Sequence, residues 1–186
     1  MKILFISLGC DKNLADSEEM LGLLTGNGHE IVDSEEEADA IVINTCCFIH
    51  DAKEESVNTI LEMAEYKKTG TCKILIVTGC MAQRYKEEIT EEIPEVDAVL
   101  GTTSYGDIVK ALNEAEAGHV FQEFKDINAL PEDSGRRVIT TGGHFGYLKI
   151  AEGCDKHCTY CIIPSLRGKF RSVPEERLLK QAEYMA

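Results

Sequence analysis

Apolar and polar residues follow two alternating patterns along most of this 186-residue chain. Short continuous apolar runs, rich in isoleucine, valine and leucine, are typical of strands buried on both faces of a sheet. These runs predict strands at residues 2–8, 29–32, 40–45, 73–79 and 96–101. Between the runs, apolar residues recur at helical spacing. This spacing predicts helices at residues 14–27, 51–68, 82–92 and 104–117.

The regular alternation of strand and helix predicts the fold class. Parallel strands need long crossover connections, which helices supply, and helices on both faces then bury the sheet. With right-handed crossovers, five strands most simply give a flavodoxin-like parallel sheet of order 2-1-3-4-5. We therefore predict an α/β domain over residues 1–125.

Residues 126–145 interrupt this alternation. They contain proline, adjacent glycines and little apolar material, which is typical of a linker. A further strand is predicted at residues 147–151, and a helix from Pro174 to the end of the chain. One strand and one helix cannot enclose a core. We therefore expect residues 146–186 to begin a second domain that this chain does not complete.

Charge is distributed unevenly along the chain. The net charge is −14, with 19 Lys and Arg against 33 Asp and Glu. Residues 1–135 hold 10 of the basic and 28 of the acidic residues, a net −18, whereas residues 136–186 hold 9 and 5, a net +4. An acidic domain repels a phosphate backbone. We therefore expect the N-terminal domain not to bind nucleic acid. The charge accommodates a basic or protein partner more easily; the alternative is that it serves only to keep the domain soluble.

The N-terminal segment MKILFISLGC is apolar but short, and the charged residues Asp11 and Lys12 follow it. It is better interpreted as a buried strand than as a signal peptide. No apolar run in the sequence approaches the ~20 residues that a membrane-spanning helix needs. We therefore expect a cytoplasmic protein without membrane contact.

The chain contains eight cysteines. In a reducing compartment, clustered cysteines bind metal or take part in catalysis more often than they form disulfides. Three of them, which we call the loop cysteines, are Cys154, Cys158 and Cys161, with C-x3-C-x2-C spacing and Tyr160 before the last. A structural zinc site closes with four ligands, and an electron-transfer iron–sulfur cluster also uses four cysteines. Three thiolates on a four-iron cluster leave one iron open, which indicates chemistry rather than scaffolding.

A second set, the strand-end cysteines, consists of Cys10, Cys46 and Cys80. They follow strands 1, 3 and 4, which are neighbours in the predicted order. Neighbouring strands lie about 4.8 Å apart, and open α/β sheets bind ligands at this carboxyl edge. The pattern predicts that these thiols surround a second cluster; the alternative is that they are small buried apolar residues. Cys47 and Cys72 are expected not to be ligands, since alternation turns the first away and the second lies at the opposite edge.

These motifs together carry a family resemblance. The segments SLGCDKN, INTCCFI and VTGCMAQR surround the strand-end cysteines, and the C-x3-C-x2-C segment follows them. In this combination the chain resembles the methylthiotransferase family of radical S-adenosylmethionine enzymes. It is most similar to the branch that modifies an aspartate of a small-subunit ribosomal protein. Asp11 and Cys47 depart from that branch, which usually has a proline and a glycine at these places.

The resemblance implies a transferase with two 4Fe-4S clusters and S-adenosylmethionine as cofactors. The cluster on the loop cysteines is expected to cleave S-adenosylmethionine, and the resulting radical to remove hydrogen from the aspartate β-carbon. The cluster on the strand-end cysteines is expected to carry the transferred sulfur, and a second S-adenosylmethionine to supply the methyl group. An external electron donor is required. The family fold implies that residues 146–186 are the first strand–helix unit of a truncated radical S-adenosylmethionine barrel.

Two alternatives remain open. One is methylthiolation of a modified adenosine in tRNA by the same chemistry. The other is a non-catalytic zinc module, in which His157 would join the loop cysteines as a fourth ligand. The basic residues Arg167, Lys169 and Arg171 follow the loop cysteines. They either contact cofactor or substrate or form a solvated surface, which is the commoner role of such a run.

Overall fold

A six-stranded parallel sheet forms the centre of the protein. The computed structural model describes residues 1–132 and 134–186, and Asp133, which falls in the predicted linker, lies outside them. The strands are β1 (Lys2–Ser7), β2 (Glu30–Val32), β3 (Ala40–Thr45), β4 (Ile74–Gly79), β5 (Ala98–Leu100) and β6 (Phe121–Glu123). Their order is β2-β1-β3-β4-β5-β6, and every pair is parallel. The predicted α/β class and the order of the first five strands are confirmed.

The sequence pattern does not predict the sixth strand. β6 consists of a phenylalanine followed by two polar residues and is partly exposed, so it has no continuous apolar run. It lies at the edge of the sheet, where only one neighbour, β5, pairs with it. A short edge strand needs little burial, and its composition therefore does not distinguish it from a loop.

Helices cover both faces of the sheet. They are α1 (Asp11–Gly26), α2 (His50–Thr69), α3 (Cys80–Arg84), α4 (Lys86–Glu92) and α5 (Ile108–Glu116), with 3₁₀ turns at Glu35–Glu37 and Tyr105–Asp107. The prediction of one helix over residues 82–92 is wrong. Helix begins already at Cys80 and is interrupted at Tyr85, whose φ of −122° and ψ of 34° are not helical. Among the helices of the described residues, none is long and apolar enough to cross a membrane.

Two apolar cores, one on each face, hold the helices to the sheet. Ile41 and Ile43 of β3 pack into the core that α2 covers. Val42, between them, packs into the core that α1 and α5 cover. Successive side chains of a strand point to opposite faces, so both faces require apolar residues. This is why β3 and β4 are continuous apolar runs, in which every residue is buried.

A smaller part follows the sheet. Its elements are β7 (Ala151–Glu152), α6 (Ile163–Arg167), β8 (Arg171–Ser172) and α7 (Glu175–Met185). The strand predicted at residues 147–151 is displaced and shorter, because only Ala151 and Glu152 pair, and they pair antiparallel with β8. The predicted start of the last helix at Pro174 agrees with the structure, in which Pro174 is the residue before α7.

A row of buried ion pairs, which we call the α1 seam, joins α1 to the linker and the smaller part. Its carboxylates belong to Asp16, Glu18 and Glu19, and its cations to Arg137, Lys149, Arg167 and Arg177. The Arg137 guanidinium donates two hydrogen bonds, of 2.6 and 2.8 Å, to the fully buried carboxylate of Glu18. Asp16, Glu18 and Glu19 are therefore buried, like the apolar residues of α1 that face the sheet.

Replacing Ile76 by alanine tests the contribution of the central strands. Ile76 of β4 is fully buried, so Ile76→Ala leaves a cavity and is expected to lower the free energy of unfolding by about 3 kcal/mol. Leu179→Ala, at an exposed position of α7, is the control and should change it by about 0.5 kcal/mol or less. Urea unfolding followed by circular dichroism measures both, and equal effects would contradict the proposed core.

Candidate functional site

The three strand-end cysteines lie around one cavity at the carboxyl edge of the sheet. Cys46 follows the last residue of β3, Cys80 opens α3 directly after β4, and Cys10 precedes the first residue of α1. β1, β3 and β4 are paired neighbours, so their carboxyl ends meet. All three cysteines line a cavity of about 360 Å³. Cys46 and Cys80 are buried, whereas Cys10 is exposed at the opening.

The remaining wall of this cavity is largely apolar. Phe48, Ile49 and Ala52 line it from the N-terminal domain, and Ile163 and Leu166 from α6. Phe48 and Ile49 are themselves about half exposed, at 53% and 56%. Apolar side chains therefore surround the thiols on the side that leads to solvent.

Glycines bring the strand-end cysteines close together. Gly9 has a φ of +96°, and a Cβ at this position would lie 2.7 Å from the Cβ of Cys46. Gly79 has a φ of +93°, and a Cβ there would lie 2.3 Å from Oδ1 of Asn44. Both backbones adopt a conformation that glycine adopts readily and that residues with a Cβ adopt rarely. The turns into Cys10 and Cys80 thus depend on glycine.

Two asparagines tie the strand ends to α1. The Asn13 side chain donates hydrogen bonds to the carbonyl oxygens of Leu8, at 3.0 Å, and Thr45, at 2.9 Å. The Asn44 side chain donates to the carbonyl oxygen of Asn13 and to the hydroxyl of Ser17, both at 2.9 Å. Neither asparagine was predicted from the sequence to be a site residue. The feature that could have indicated a role for Asn44 is its place in the sequence, because it is a polar residue inside an apolar run.

Arg167 is a further wall residue of the cavity. It is only 3% exposed, and its guanidinium donates to Oδ2 of Asp16 at 2.7 Å and to Oδ1 of Asn13 at 2.5 Å. The solvated-surface interpretation of the basic run is therefore wrong for Arg167, while Lys169 is exposed as that interpretation requires. The error arises because the partners of Arg167 lie about 150 residues away in sequence.

Burial and nearby charge act in opposite directions on the thiols. Burial raises the pKa of Cys80, and the adjacent Arg167 guanidinium lowers it, but burial dominates. Burial and the neighbouring Cys80 raise the pKa of Cys47 to about 11. Iron binds the thiolate form of cysteine, and burial disfavours the Cys80 thiolate because water cannot solvate its charge. A bound cluster must therefore supply the stabilisation that water does not.

Cys47 and Cys72 do not line the cavity. The Cys47 thiol donates to the carbonyl oxygen of Cys80 at 3.3 Å and packs in the apolar core. The Cys72 thiol donates to the carbonyl oxygen of Ile74 at 3.4 Å, near the amino end of β4. Both positions agree with the geometry expected from the sequence.

The loop cysteines lie between β7 and α6 and do not line the cavity of the strand-end cysteines. Cys154 and Cys161 are partly exposed and Cys158 is exposed. The amide of Cys154 donates to the carbonyl oxygen of Gly168 at 3.0 Å, which closes the base of the loop. Gly153, the preceding residue, lines the cavity of the strand-end cysteines. The loop therefore begins at the wall of that cavity.

In neither cysteine set are the thiols arranged around a single metal ion. Within the described ranges, no three His, Cys, Asp or Glu side chains are arranged to hold a single metal ion. A 4Fe-4S cluster is larger than an ion, and its ligands stand apart around it. Thiols spaced around a cavity, with apolar walls, fit such a cluster in donor chemistry and in placement.

The fold and site define a class of protein, namely an α/β domain that gathers cysteines where parallel strands end. A family model described as uncharacterized protein family UPF0004 matches residues 2–101, and the chain belongs to this family. The family is the N-terminal domain of methylthiotransferases, so the resemblance stated from the sequence is confirmed.

Curated relatives match over the whole chain. It is 64% identical over 186 residues to the ribosomal protein uS12 methylthiotransferase RimO of Lachnoclostridium phytofermentans. It is 50% identical over 186 residues to the protein of the same name from Clostridioides difficile. Each alignment covers 100% of this chain and 42% of the relative. The chain thus spans about two fifths of the length of these relatives.

A substitution at Gly79 tests the turn that places Cys80. In Gly79→Ala the new Cβ meets backbone and side-chain atoms of β3, so the free energy of unfolding should fall by about 3 kcal/mol. Gly28→Ala is the matched control, since Gly28 has a similar φ of +84° but open space around it. It should lose only about 1 kcal/mol. Equal losses in urea unfolding would contradict the close approach at Gly79.

The buried carboxylate of Asp16 gives the fold an acid dependence. Burial alone raises the pKa of Asp16, but the charges of Lys149 and Arg167 outweigh it and bring the pKa below its ordinary value of 3.8. Such a group stabilises the fold above its unfolded pKa, and this contribution is lost as the pH falls through the folded pKa. Asp16→Asn should therefore remove part of the loss of stability below about pH 4. Urea unfolding at a series of acid pH values measures this.

Glu19→Gln is the control with the opposite sign. Burial raises the pKa of Glu19 above its ordinary value of 4.5, so its protonation in acid favours the folded state. Glu19→Gln removes this proton uptake. The free energy of unfolding of the variant should therefore fall more steeply with decreasing pH than that of the wild type. If Asp16→Asn retains the full wild-type dependence on pH, the assignment of Asp16 is refuted.

Proposed function

We propose that this chain is the cluster-binding N-terminal part of a radical S-adenosylmethionine methylthiotransferase. The whole enzyme would add a methylthio group to the β-carbon of an aspartate in a small-subunit ribosomal protein. The observation that carries the proposal is the meeting of the three strand-end cysteines at one cavity. The relatives named as ribosomal protein uS12 methylthiotransferases support the substrate class.

In this proposal each set of cysteines holds one 4Fe-4S cluster. Cys10, Cys46 and Cys80 hold the first, and Cys154, Cys158 and Cys161 hold the second. When bound, the clusters and S-adenosylmethionine supply the radical, the sulfur and the methyl group, with electrons from an external donor. Three protein ligands leave one iron of each cluster free for a substrate or cofactor atom.

The residues of the chain hold and enclose these groups. Cys46 and Cys80 anchor the first cluster from the inside of the cavity, and exposed Cys10 closes it at the opening. Phe48 and Ile49 exclude water from the same opening. The loop cysteines lie in a partly exposed segment, which leaves room for S-adenosylmethionine to reach the second cluster.

The charge of the N-terminal domain favours a protein substrate over tRNA. Residues 1–135 carry a net −18, which attracts a basic protein and repels a phosphate backbone. A ribosomal substrate and free thiols are both consistent with a cytoplasmic enzyme. Methylthiolation of tRNA is the second candidate because it uses the same two clusters.

Iron content tests the cluster assignment. The wild-type chain, reconstituted anaerobically with iron and sulfide, should bind about eight irons and turn brown. Replacing the three strand-end cysteines by alanine should leave about four, and replacing the three loop cysteines should also leave about four. Iron and sulfide analysis with absorption spectroscopy measures each variant.

Cys47→Ala and Cys72→Ala are the matched controls and should retain the wild-type iron content. A colourless protein that binds one zinc ion on the loop cysteines and His157 would reject the cluster proposal in favour of the zinc module. Loss of iron in Cys47→Ala as severe as in Cys46→Ala would reject the ligand assignment at that edge.

Product analysis separates the two substrates. The chain extended to the length of its relatives is incubated with S-adenosylmethionine, a reductant and either uS12 or tRNA. We expect peptide mass spectrometry to find one hydrogen of an aspartate in uS12 replaced by a methylthio group. Methylthiolated adenosine in tRNA with unmodified uS12 would overturn the substrate assignment.

A further inference from the structure

Arg167 joins the segment of the loop cysteines to the cavity of the strand-end cysteines. It is the last residue of α6, six residues after Cys161, yet it lines the cavity with Cys80. It is 3% exposed, so its charge is withdrawn from water. A buried cation of this kind acts strongly on charged groups beside it.

The guanidinium and the Cys80 thiol share one neighbour. Nη2 of Arg167 donates to Oδ1 of Asn13 at 2.5 Å, and the Cys80 sulfur lies 3.7 Å from the same oxygen. Both side chains also line the same cavity. A guanidinium has five N–H donors in a fixed plane, so it can serve Asn13, Asp16 and a sulfur together.

The position of the guanidinium is fixed from α1. Nη1 donates to Oδ2 of Asp16 at 2.7 Å, and Oε1 of Glu152 lies 3.6 Å away. Asp16 also pairs with Lys149. The side chain is thus held by charge at Nη1, while Nη2 lies on the Asn13 oxygen that the Cys80 thiol also contacts.

We propose that Arg167 is a positioning residue for the cluster proposed on the strand-end cysteines. Its guanidinium holds the Cys80 sulfur by a charge-assisted hydrogen bond and raises the reduction potential of that cluster. The inference rests on the proposed function, because it requires a cluster in this cavity. Hydrogen bonds to ligand sulfurs and nearby positive charge stabilise the reduced, more negative state of a cluster.

This arrangement makes the potential of the first cluster depend on the docking of the smaller part. Arg167 belongs to α6, whereas Cys80 and Asp16 belong to the N-terminal domain. The proposed effect therefore requires α6 to pack against the N-terminal domain, as it does through the buried Leu166. The segment that carries the loop cysteines therefore sets the electronic state of the other site.

A redox titration of a single cluster tests the proposal. In a chain whose loop cysteines are replaced by alanine, only the cluster on the strand-end cysteines is present, and electron paramagnetic resonance follows its reduction. Arg167→Met should shift the midpoint potential downwards, because a positive charge and a hydrogen bond are lost. Arg167→Lys should give a smaller downward shift. Asp16→Asn should shift the potential upwards, because a negative charge near Arg167 is lost.

Arg137→Met is the matched control. It removes the other buried arginine of the α1 seam, which pairs with Glu18 and does not line the cavity. It should lower the thermal stability as Arg167→Met does, but leave the potential unchanged. If Arg167→Met does not fold, the downward shift of Arg167→Lys against an unchanged potential in Arg137→Lys decides the question.

The possible outcomes separate this proposal from the one on which it rests. A parent chain that takes up no iron rejects the cluster in this cavity, and the role of Arg167 with it. A parent chain that assembles the cluster, with Arg167→Met at the same potential and the same iron content, rejects the role of Arg167 alone. A shift equal to that of Arg137→Met also rejects it, since the effect would then be structural.

Discussion

The parallel pairing of β1, β3 and β4 is the constraint on which the rest of the structure depends. Parallel strands run in one direction, so the residues that follow them emerge at one edge of the sheet. Cys10, Cys46 and Cys80 are far apart in sequence, and the shared edge brings them to one cavity, where the glycine turns complete their placement. The helices that make the crossovers also bury the sheet on both faces, which keeps this edge rigid. The chemistry proposed here thus relies on topology before it relies on any single side chain.

The second feature that determines how the parts of the chain are arranged is the charge buried along α1. Asp16 is paired with Lys149 and with Arg167 of α6, whereas Glu18 is paired with Arg137, which precedes the smaller part. Removing one member of a buried ion pair is costly, because the other charge remains in a medium of low polarity. The pairs therefore specify one orientation of α6 against the sheet edge. That orientation places Arg167 in the wall of the cavity that Cys80 also lines.

The sequence was sufficient for features that repeat or that follow from strand order. Apolar runs with helices between them predicted the sheet order, and that order predicted which cysteines would be neighbours. It was insufficient where a contact joins distant segments or where a local pattern is weak. Nothing near Arg167 in sequence reveals that its partners are Asp16 and Asn13. Neither the interruption of the helix at Tyr85 nor the short edge strand β6 has an apolar pattern that would reveal it in the sequence.

The α1 seam has a consequence for how separable the two parts of the chain are. A contact built from apolar side chains leaves an exposed apolar surface when it opens, and such a surface promotes aggregation. Here the uncovered face of α1 would present Asp16, Glu18 and Glu19, which water solvates readily. Such a joint resembles a transient interface more than a divided core. Separation would also withdraw Leu166 of α6 from the apolar core, so the joint combines charge that water can solvate with a small apolar contact.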